Sequence, residues 1–162
     1  MIVVADASPL RYLVWIDEVE LIPALHGPVW IPPAVVAELS RPQTPAKVKR
    51  WIDAPPVWLQ VRAPADMSRE FPPTLGTGEC EAIALAEEIQ ADYLLIDDWA
   101  GRREAQRRNL IIQGTLGLLR FAAQKGMADL PNTIARLRET SFHASEELIQ
   151  SMLDEDAGRR KT

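Results

Sequence analysis

Short apolar runs that alternate with helix-forming segments most constrain the fold of this 162-residue chain. Runs rich in β-branched residues predict buried strands at 2–5, 29–31, 93–96 and 110–112, and a weakly alternating run between prolines predicts an edge strand at 57–61. Because helical segments separate these strands, they would pair in parallel with helices on both faces. The sequence therefore predicts an α/β fold, a three-layer α/β/α sandwich with a central, mainly parallel sheet.

The predicted helices lie between and beyond these strands. Ser8 and Pro9 suit the N-cap and the first position of a helix, and two short helices are expected before Gly27. Further helices are predicted at 34–39, 47–52, 79–90, 99–108 and 115–125, with a loop at 63–75. Past residue 130 the pattern is helical only, with helices at 132–139 and after Ser145, and the basic tail at 159–161 is expected to fray.

The composition matches one ordinary globular core, since 47% of the residues are hydrophobic and 25% are charged. We expect a main domain at 1–128 and a helical extension at 129–162 packed on or near it. The lone Cys80 cannot form an internal disulfide. No apolar run approaches the roughly 20 residues that span a bilayer, and the N-terminus lacks a secretory pattern. A cytoplasmic protein without membrane insertion is therefore expected.

Acidic side chains follow two of the predicted strands. Asp6 follows the first strand, and Asp97 and Asp98 follow the strand at 93–96. Ligands of parallel α/β sheets bind at the carboxyl ends of the strands, so these acids would face one crevice if the two strands are neighbours. Close like charges are costly unless a cation neutralises them or a proton is shared. A bound metal ion is the simpler remedy.

Two glutamates share helix faces with apolar residues. Glu79, at about 100° per residue, lies on the side of Ala82, although the helix macrodipole alone also favours an acid in a first turn. Glu38 shares a face with Ala34 and Val35, although a surface position is its ordinary alternative. Because a carboxylate on an apolar face is rarely left unpaired, Glu79 is a candidate ligand. Glu38 becomes a candidate only in company with the other acids.

Four or five carboxylates would suit one or two hard divalent cations. Mg²⁺ and Mn²⁺ prefer oxygen ligands. A cation of this kind can lower the pKa of an attacking water and stabilise the charge on a phosphate. The expected chemistry is phosphodiester hydrolysis without a protein nucleophile.

Four segments follow one another in a specific order and spacing: VVADASPL, IPPAVVAEL, GTGECEAIALA and LLIDDWAGRREA. Together they resemble the motifs of the PIN-domain family, and within it the VapC-like branch of toxin ribonucleases, over residues 2–126. The similarity is closest to a subgroup with GE and IDD motifs. The chain departs from the commonest pattern in having Glu79 where many relatives have Asp, and in the doubled Asp97 and Asp98.

This resemblance implies an endoribonuclease that depends on Mg²⁺ or Mn²⁺. The acids that would hold the metal and act in catalysis are Asp6, Glu38, Glu79 and Asp98. Asp97 would be a fifth ligand or an acid behind the ligands, and Ser8 would position Asp6 or a water. Thr115 would lie at the edge of the site unless it only caps a helix. The resemblance also implies an RNA substrate, a small antitoxin as partner and a homodimer.

Arginines on the helix after Asp98 are candidates for holding the RNA backbone. They are Arg102, Arg103, Arg107 and Arg108, and Arg102 lies one turn from the acids. A guanidinium suits phosphate because its planar fork can donate two hydrogen bonds. A solvated helix face and a contact with an acidic protein inhibitor are the alternatives. Because the net charge is −5, any contact with nucleic acid needs such local basic patches or bound cations.

Three functions remain open from the sequence. The first is the toxin of a type II toxin-antitoxin pair, the second is a housekeeping PIN nuclease in RNA processing, and the third is a PIN-like module that binds RNA or a protein without cleavage. A phosphoaspartate hydrolase is disfavoured because position 8 is Ser rather than Asp. A nucleotide-binding enzyme is disfavoured because no glycine-rich loop follows the first strand.

Overall fold

A computed structural model describes residues 1–161, and within them the five expected strands form one parallel sheet. The strands are β1 (Val3–Ala5), β2 (Val29–Ile31), β3 (Leu59–Val61), β4 (Tyr93–Leu95) and β5 (Ile112–Gln113). Their order across the sheet is β3-β2-β1-β4-β5, and every neighbouring pair is parallel. Strand β1 therefore lies at the centre with β4 beside it. Thr162, the last residue of the predicted extension, lies outside the described residues.

Helices cover both faces of this sheet. Within residues 1–161 they are α1 (Ala7–Trp15), α2 (Leu21–His26), α3 (Pro33–Leu39), α4 (Ala46–Asp53), α5 (Thr77–Glu88), α6 (Trp99–Arg107), α7 (Thr115–Gln124), α8 (Leu130–Leu137) and α9 (Glu146–Arg160). Successive strand residues point to opposite faces. Val3 and Ala5 pack in one apolar cluster with α1 and α7, whereas Val4 and Leu94 pack in a second cluster with α5 and α6. The predicted three-layer α/β/α sandwich is confirmed.

The two C-terminal helices extend the core of the first face. Helices α8 and α9 pack on α7 and on each other. Their buried residues Leu130, Ile134, Ile149 and Met152 belong to the same apolar cluster as β1, and full burial of such a side chain contributes roughly 1.5–3 kcal/mol. The division of the chain at residue 128 stays a prediction. No helix within residues 1–161 combines the length and the hydropathy needed to cross a bilayer.

Two element boundaries next to strands of the sheet differ from the prediction. Helix α1 has Asp6 rather than Ser8 at its N-cap, so Ser8 is the second helical residue. Strand β5 begins two residues later than predicted. The reason is that Asn109 adopts a left-handed φ of 64° and the backbone N of Leu110 donates to the Ala105 carbonyl at 3.0 Å. These contacts end α6, so Leu110 belongs to the helix end rather than to the strand.

Two further boundaries differ in the C-terminal part. Helix α8 begins two residues earlier than predicted because the Asp129 side chain accepts a hydrogen bond from the backbone N of Asn132 at 3.2 Å. The expectation of a frayed basic tail is wrong for residues 159 and 160. Helix α9 continues to Arg160, since the buried Asp156 carboxylate pairs with Arg159 at 2.5 Å and with Arg160 at 3.0 Å.

Candidate active site

The acids at the strand ends meet because β1 and β4 are neighbours. Ala5 of β1 pairs with Leu95 of β4, and the backbone N of Asp6 donates to the Leu95 carbonyl at 2.8 Å. Asp6 follows β1 directly, and Asp97 and Asp98 follow β4 after one further residue. The adjacency that the sequence left open is therefore present, and the three aspartates lie at the same edge of the sheet.

Asp6 is the most buried carboxylate at this edge. Its side chain is 3% exposed, and its Oδ1 has no hydrogen-bond partner within residues 1–161. Burial, with a smaller contribution from the charges of Glu38, Glu79 and Asp97, raises the pKa of Asp6 from its ordinary value of 3.8 to about 7. A carboxylate in these surroundings is costly to ionise unless a cation balances its charge.

Glu79 points toward the same region from the first turn of α5. Its Oε1 accepts a hydrogen bond from the backbone N of Gly76 at 3.0 Å, whereas its Oε2 is buried without a partner among the described residues. Burial raises the pKa of Glu79 to about 7, and a hydrogen bond with Asp98 and the charge of Glu38 also raise it. One oxygen therefore caps the helix and the other is left without a partner near the site, so the capping contact is compatible with the predicted role of Glu79 as a ligand.

Glu38 approaches Asp6 over Gly78. A Cβ placed on Gly78 would lie 3.5 Å from Oε1 of Glu38 and 3.6 Å from Oδ1 of Asp6. Both oxygens therefore border the same small volume at the start of α5. The exposed Arg41 places its Nη1 3.9 Å from Oε1 of Glu38. Glu38 was predicted mainly from the resemblance, and the structure brings it to the other acids.

Asp97 is held by the first residue of α7. The hydroxyl of Thr115 donates to Oδ2 of Asp97 and the backbone N of Thr115 donates to Oδ1, both at 2.7 Å. Burial raises the pKa of Asp97, while these two hydrogen bonds and the charge of Arg102 act in the opposite direction. A Cβ on Gly114 would lie 2.8 Å from Nη1 of Arg102 and 3.0 Å from Oδ1 of Asp97. Thr115 and Arg102 therefore both lie at the site, and Gly114 rather than Thr115 is the N-cap of α7.

Asp98 caps α6, and a glycine one turn later makes room for Glu79. The Asp98 Oδ2 accepts a hydrogen bond from the backbone N of Gly101 at 3.2 Å. A Cβ on Gly101 would lie 2.7 Å from Oε2 of Glu79 and 2.6 Å from Cδ1 of Ile96. The sequence reasoning missed Gly101, although a glycine inside a predicted helix is a usable sign because it costs about 1 kcal/mol relative to Ala.

The five predicted carboxylates thus converge at the carboxyl edge of the sheet. We call them the acidic cluster: Asp6, Glu38, Glu79, Asp97 and Asp98. Within residues 1–161 no three Asp, Glu, His or Cys side chains are placed closely enough to hold a metal ion as they stand. The donor set is nevertheless all oxygen, and two of its buried oxygens lack hydrogen-bond partners among those residues, which fits a hard divalent cation. The Ser8 side chain makes no hydrogen bond in the described chain, so its positioning role stays a prediction.

Two of the arginines proposed to hold RNA are engaged elsewhere. Arg107 and Arg108 each donate to the buried Glu104 at 2.6 Å, and Arg108 also donates to Glu87 at 2.9 Å. These hydrogen bonds lower the pKa of Glu104 to about 2. Arg108 therefore holds α6 against α5, whereas Arg107 pairs within α6, and both pairings compete with the predicted contact with RNA. Arg102 remains beside the acids.

A cleft of about 770 Å³ begins at Asp97 and Arg102 and continues between α7 and α9. Its walls include Phe121 of α7, His143 of the loop before α9, and Leu148 of α9. Helix α9 and the preceding loop belong to the predicted extension. The C-terminal part of the chain therefore borders the approach to the acidic cluster.

Residues 2–157 match the sequence model of a PIN domain family. The fold is also similar to that of a PilT N-terminus domain protein from the hyperthermophilic archaeon Sulfolobus solfataricus P2. That similarity has a TM-score of 0.52 and covers 90% of this chain and 100% of the archaeal chain, at 16% sequence identity. No curated protein matches the sequence significantly. PIN domains are generally nucleases and commonly use divalent metal ions. With almost its whole length matched, the chain belongs to the PIN domain family.

Proposed function

We propose that this chain is a divalent metal-dependent endoribonuclease that hydrolyses RNA phosphodiester bonds. The observation that carries the proposal is Asp6, a buried carboxylate with an unpaired oxygen and three further acids, Glu38, Glu79 and Asp97, close enough to raise its pKa. Such a concentration of negative charge is costly unless a cation is bound. The nuclease chemistry that is general in the PIN domain family supports the same assignment.

The carboxylates would act as the metal-holding groups. Asp6, Glu79, Asp97 and Asp98 are the proposed ligands of Mg²⁺ or Mn²⁺, and Glu38 completes the catalytic acids. When bound, the cation would supply activation of an attacking water and stabilisation of the charge on the phosphate. Asp6 and Glu79 have pKa values of about 7, so a cation that binds these two carboxylates displaces their protons. Loading of the site is therefore expected to weaken as the pH falls below 7.

Two neighbouring side chains would orient these groups. Thr115 holds both oxygens of Asp97 through its hydroxyl and backbone donors. Partners of this kind keep a ligating carboxylate in one orientation. Arg102 stands beside Asp97 at the mouth of the cleft, where its planar guanidinium can donate two hydrogen bonds to a phosphate of the substrate.

Cleavage of an end-labelled RNA by the purified chain tests this function. We expect cleavage with Mg²⁺ or Mn²⁺, none with EDTA, and a loss of cleavage in Asp6→Asn and Asp98→Asn variants whose circular dichroism is unchanged. Asp53→Asn is the matched control, because Asp53 is an exposed carboxylate at the end of α4. Cleavage that survives Asp6→Asn and Asp98→Asn together would refute the metal-nuclease assignment.

The VapC-like motifs extend the proposal to the toxin of a type II toxin-antitoxin pair, acting in the cytoplasm as a homodimer and inhibited by a small antitoxin. Expression of the chain alone should then arrest growth. Co-expression with the product of a neighbouring short reading frame should restore growth, and Asp6→Asn should not arrest it. Unimpaired growth with active nuclease would instead favour a housekeeping role in RNA processing.

A further inference from the structure

A small pocket with both polar and apolar walls lies on the far side of Arg41 from Glu38 of the acidic cluster. It has a volume of about 160 Å³, and its lining includes Arg11 of α1, Arg41 and Thr44 after α3, and Ser141 before α9. Arg41 links the pocket to the cluster, since its Nη1 lies 3.9 Å from Oε1 of Glu38. Two arginines and two hydroxyl-bearing residues thus line one cavity beside the site of the proposed chemistry.

Arg11 is the residue that points to a ligand. Its Nε is buried and has no hydrogen-bond acceptor, and Arg11 makes no ion pair with any residue in 1–161. The nearby Lys47, in contrast, pairs with Asp17 at 2.5 Å. Arg11 also lines the pocket. Because no carboxylate in residues 1–161 balances its charge, an anion in the pocket would find a cation that no acid of the chain neutralises.

The dimensions of the pocket suit one phosphate group. Its volume of about 160 Å³ leaves room for one phosphate group together with a few waters. Arg11 lies five residues after Asp6, the N-cap of α1, which corresponds to a rise of about 7.5 Å along the helix axis and a rotation of about 140° around it. The two side chains therefore leave the helix in different directions, and a phosphate at Arg11 would lie beside the acidic cluster and not on it.

We propose that Arg11 and Arg41 bind one backbone phosphate of the RNA strand, adjacent to the phosphate that is cleaved at the acidic cluster. This inference rests on the proposed function, because it takes RNA as the substrate. A chain with a net charge of −5 needs local cations to hold a polyanion. Arg107 and Arg108 pair with Glu104, so Arg11 in α1 and Arg41 in the loop after α3 would add to the backbone contact proposed for Arg102.

The test is binding of a short, fluorescein-labelled single-stranded RNA in EDTA, measured by fluorescence anisotropy over a range of KCl concentrations. Arg11→Gln should weaken binding roughly tenfold and reduce the slope of log affinity against log salt by about 0.7, the value for one lost contact with a single strand. Arg11→Lys should restore the slope but not the full affinity, because the ammonium lacks the planar fork. Arg160→Gln, which removes the same charge at the end of α9, should leave both quantities unchanged.

Thermal unfolding separates binding from a structural role. Because Arg11 has no partner in the described chain, Arg11→Gln should not lower the melting temperature. Wild-type affinity and salt slope in Arg11→Gln would overturn the inference. So would a lowered melting temperature with an unchanged slope. Polyglutamate that binds in an Arg11-dependent manner, with RNA binding unaffected, would assign the pocket to an acidic protein partner and would also overturn it.

The outcomes distinguish this inference from the proposed function. A wild-type chain that cleaves RNA, with no dependence of binding on Arg11, keeps the nuclease function and loses only the phosphate pocket. A wild-type chain that neither binds nor cleaves RNA removes both. Binding that depends on Arg11 without any metal-dependent cleavage keeps an RNA-binding pocket and removes the nuclease function.

Discussion

The metal-free chain should lose stability as the pH rises through the titration of Asp6, and Asp6→Asn should remove that loss. The pKa of Asp6 is about 7 in the folded chain, against 3.8 ordinarily. Because the folded pKa is raised, the contribution of protonated Asp6 is fully present below pH 3.8 and is lost as the pH rises toward 7. At about 1.4 kcal/mol for each pKa unit, the complete shift corresponds to roughly 4 kcal/mol, of which roughly 2.5 kcal/mol is lost between pH 5 and pH 8.

Guanidinium unfolding followed by the fluorescence of the five tryptophans measures this effect. Asn has nearly the shape of protonated Asp and does not ionise. In EDTA, the difference between the free energy of unfolding of Asp6→Asn and that of the wild type should therefore increase by roughly 2.5 kcal/mol, in favour of the variant, between pH 5 and pH 8. Asp53→Asn should follow the wild type at both pH values, because Asp53 is exposed. Parallel pH profiles of Asp6→Asn and the wild type would refute the reasoning.

Two further substitutions test the packing around the carboxylates. Gly101→Ala should lower the free energy of unfolding by roughly 1–3 kcal/mol and slow RNA cleavage, because its Cβ would displace Oε2 of Glu79. Gly117→Ala in α7, where the added Cβ makes ordinary contact at 3.5 Å, should instead raise the free energy of unfolding by up to about 1 kcal/mol. Equal effects of the two substitutions on thermal unfolding would contradict the crowding at Gly101. Thr115→Val should slow cleavage roughly tenfold, because Oδ2 of Asp97 loses its hydroxyl donor. Thr115→Ser should retain the rate, and equal rates for the Val and Ser variants would show that the hydroxyl is not used.

The parallel sheet and the position of its acids could be predicted because short-range patterns determine them. Apolar runs between helices indicate buried parallel strands, and Asp6 and Asp97 follow such runs directly. The start of β5, predicted at 110 and found at 112, was predicted less well. Asn109 ends α6 in a left-handed conformation, and an apolar Leu110 after such a residue fits a helix end as well as a strand.

The surroundings of the acids depend on contacts that the sequence does not display. Glu104 precedes Arg107 and Arg108 by three and four residues, so their pairing could have been expected from helix spacing. The pocket around Arg11 could not have been expected, because its walls come from three distant parts of the chain, within residues 11–15, within residues 41–45 and at residue 141. Proximity of segments that are distant along the chain follows only from the packing of whole helices.

The room that Gly101 leaves for Glu79 has an evolutionary consequence. Glu is one methylene longer than Asp, and the Oε2 of Glu79 fills the space that a side chain at 101 would need. The two positions should therefore have changed together. Relatives with Glu at position 79 should retain Gly at position 101, whereas relatives with the shorter Asp should tolerate Ala or Ser there, and an alignment of the family would show this as covariation.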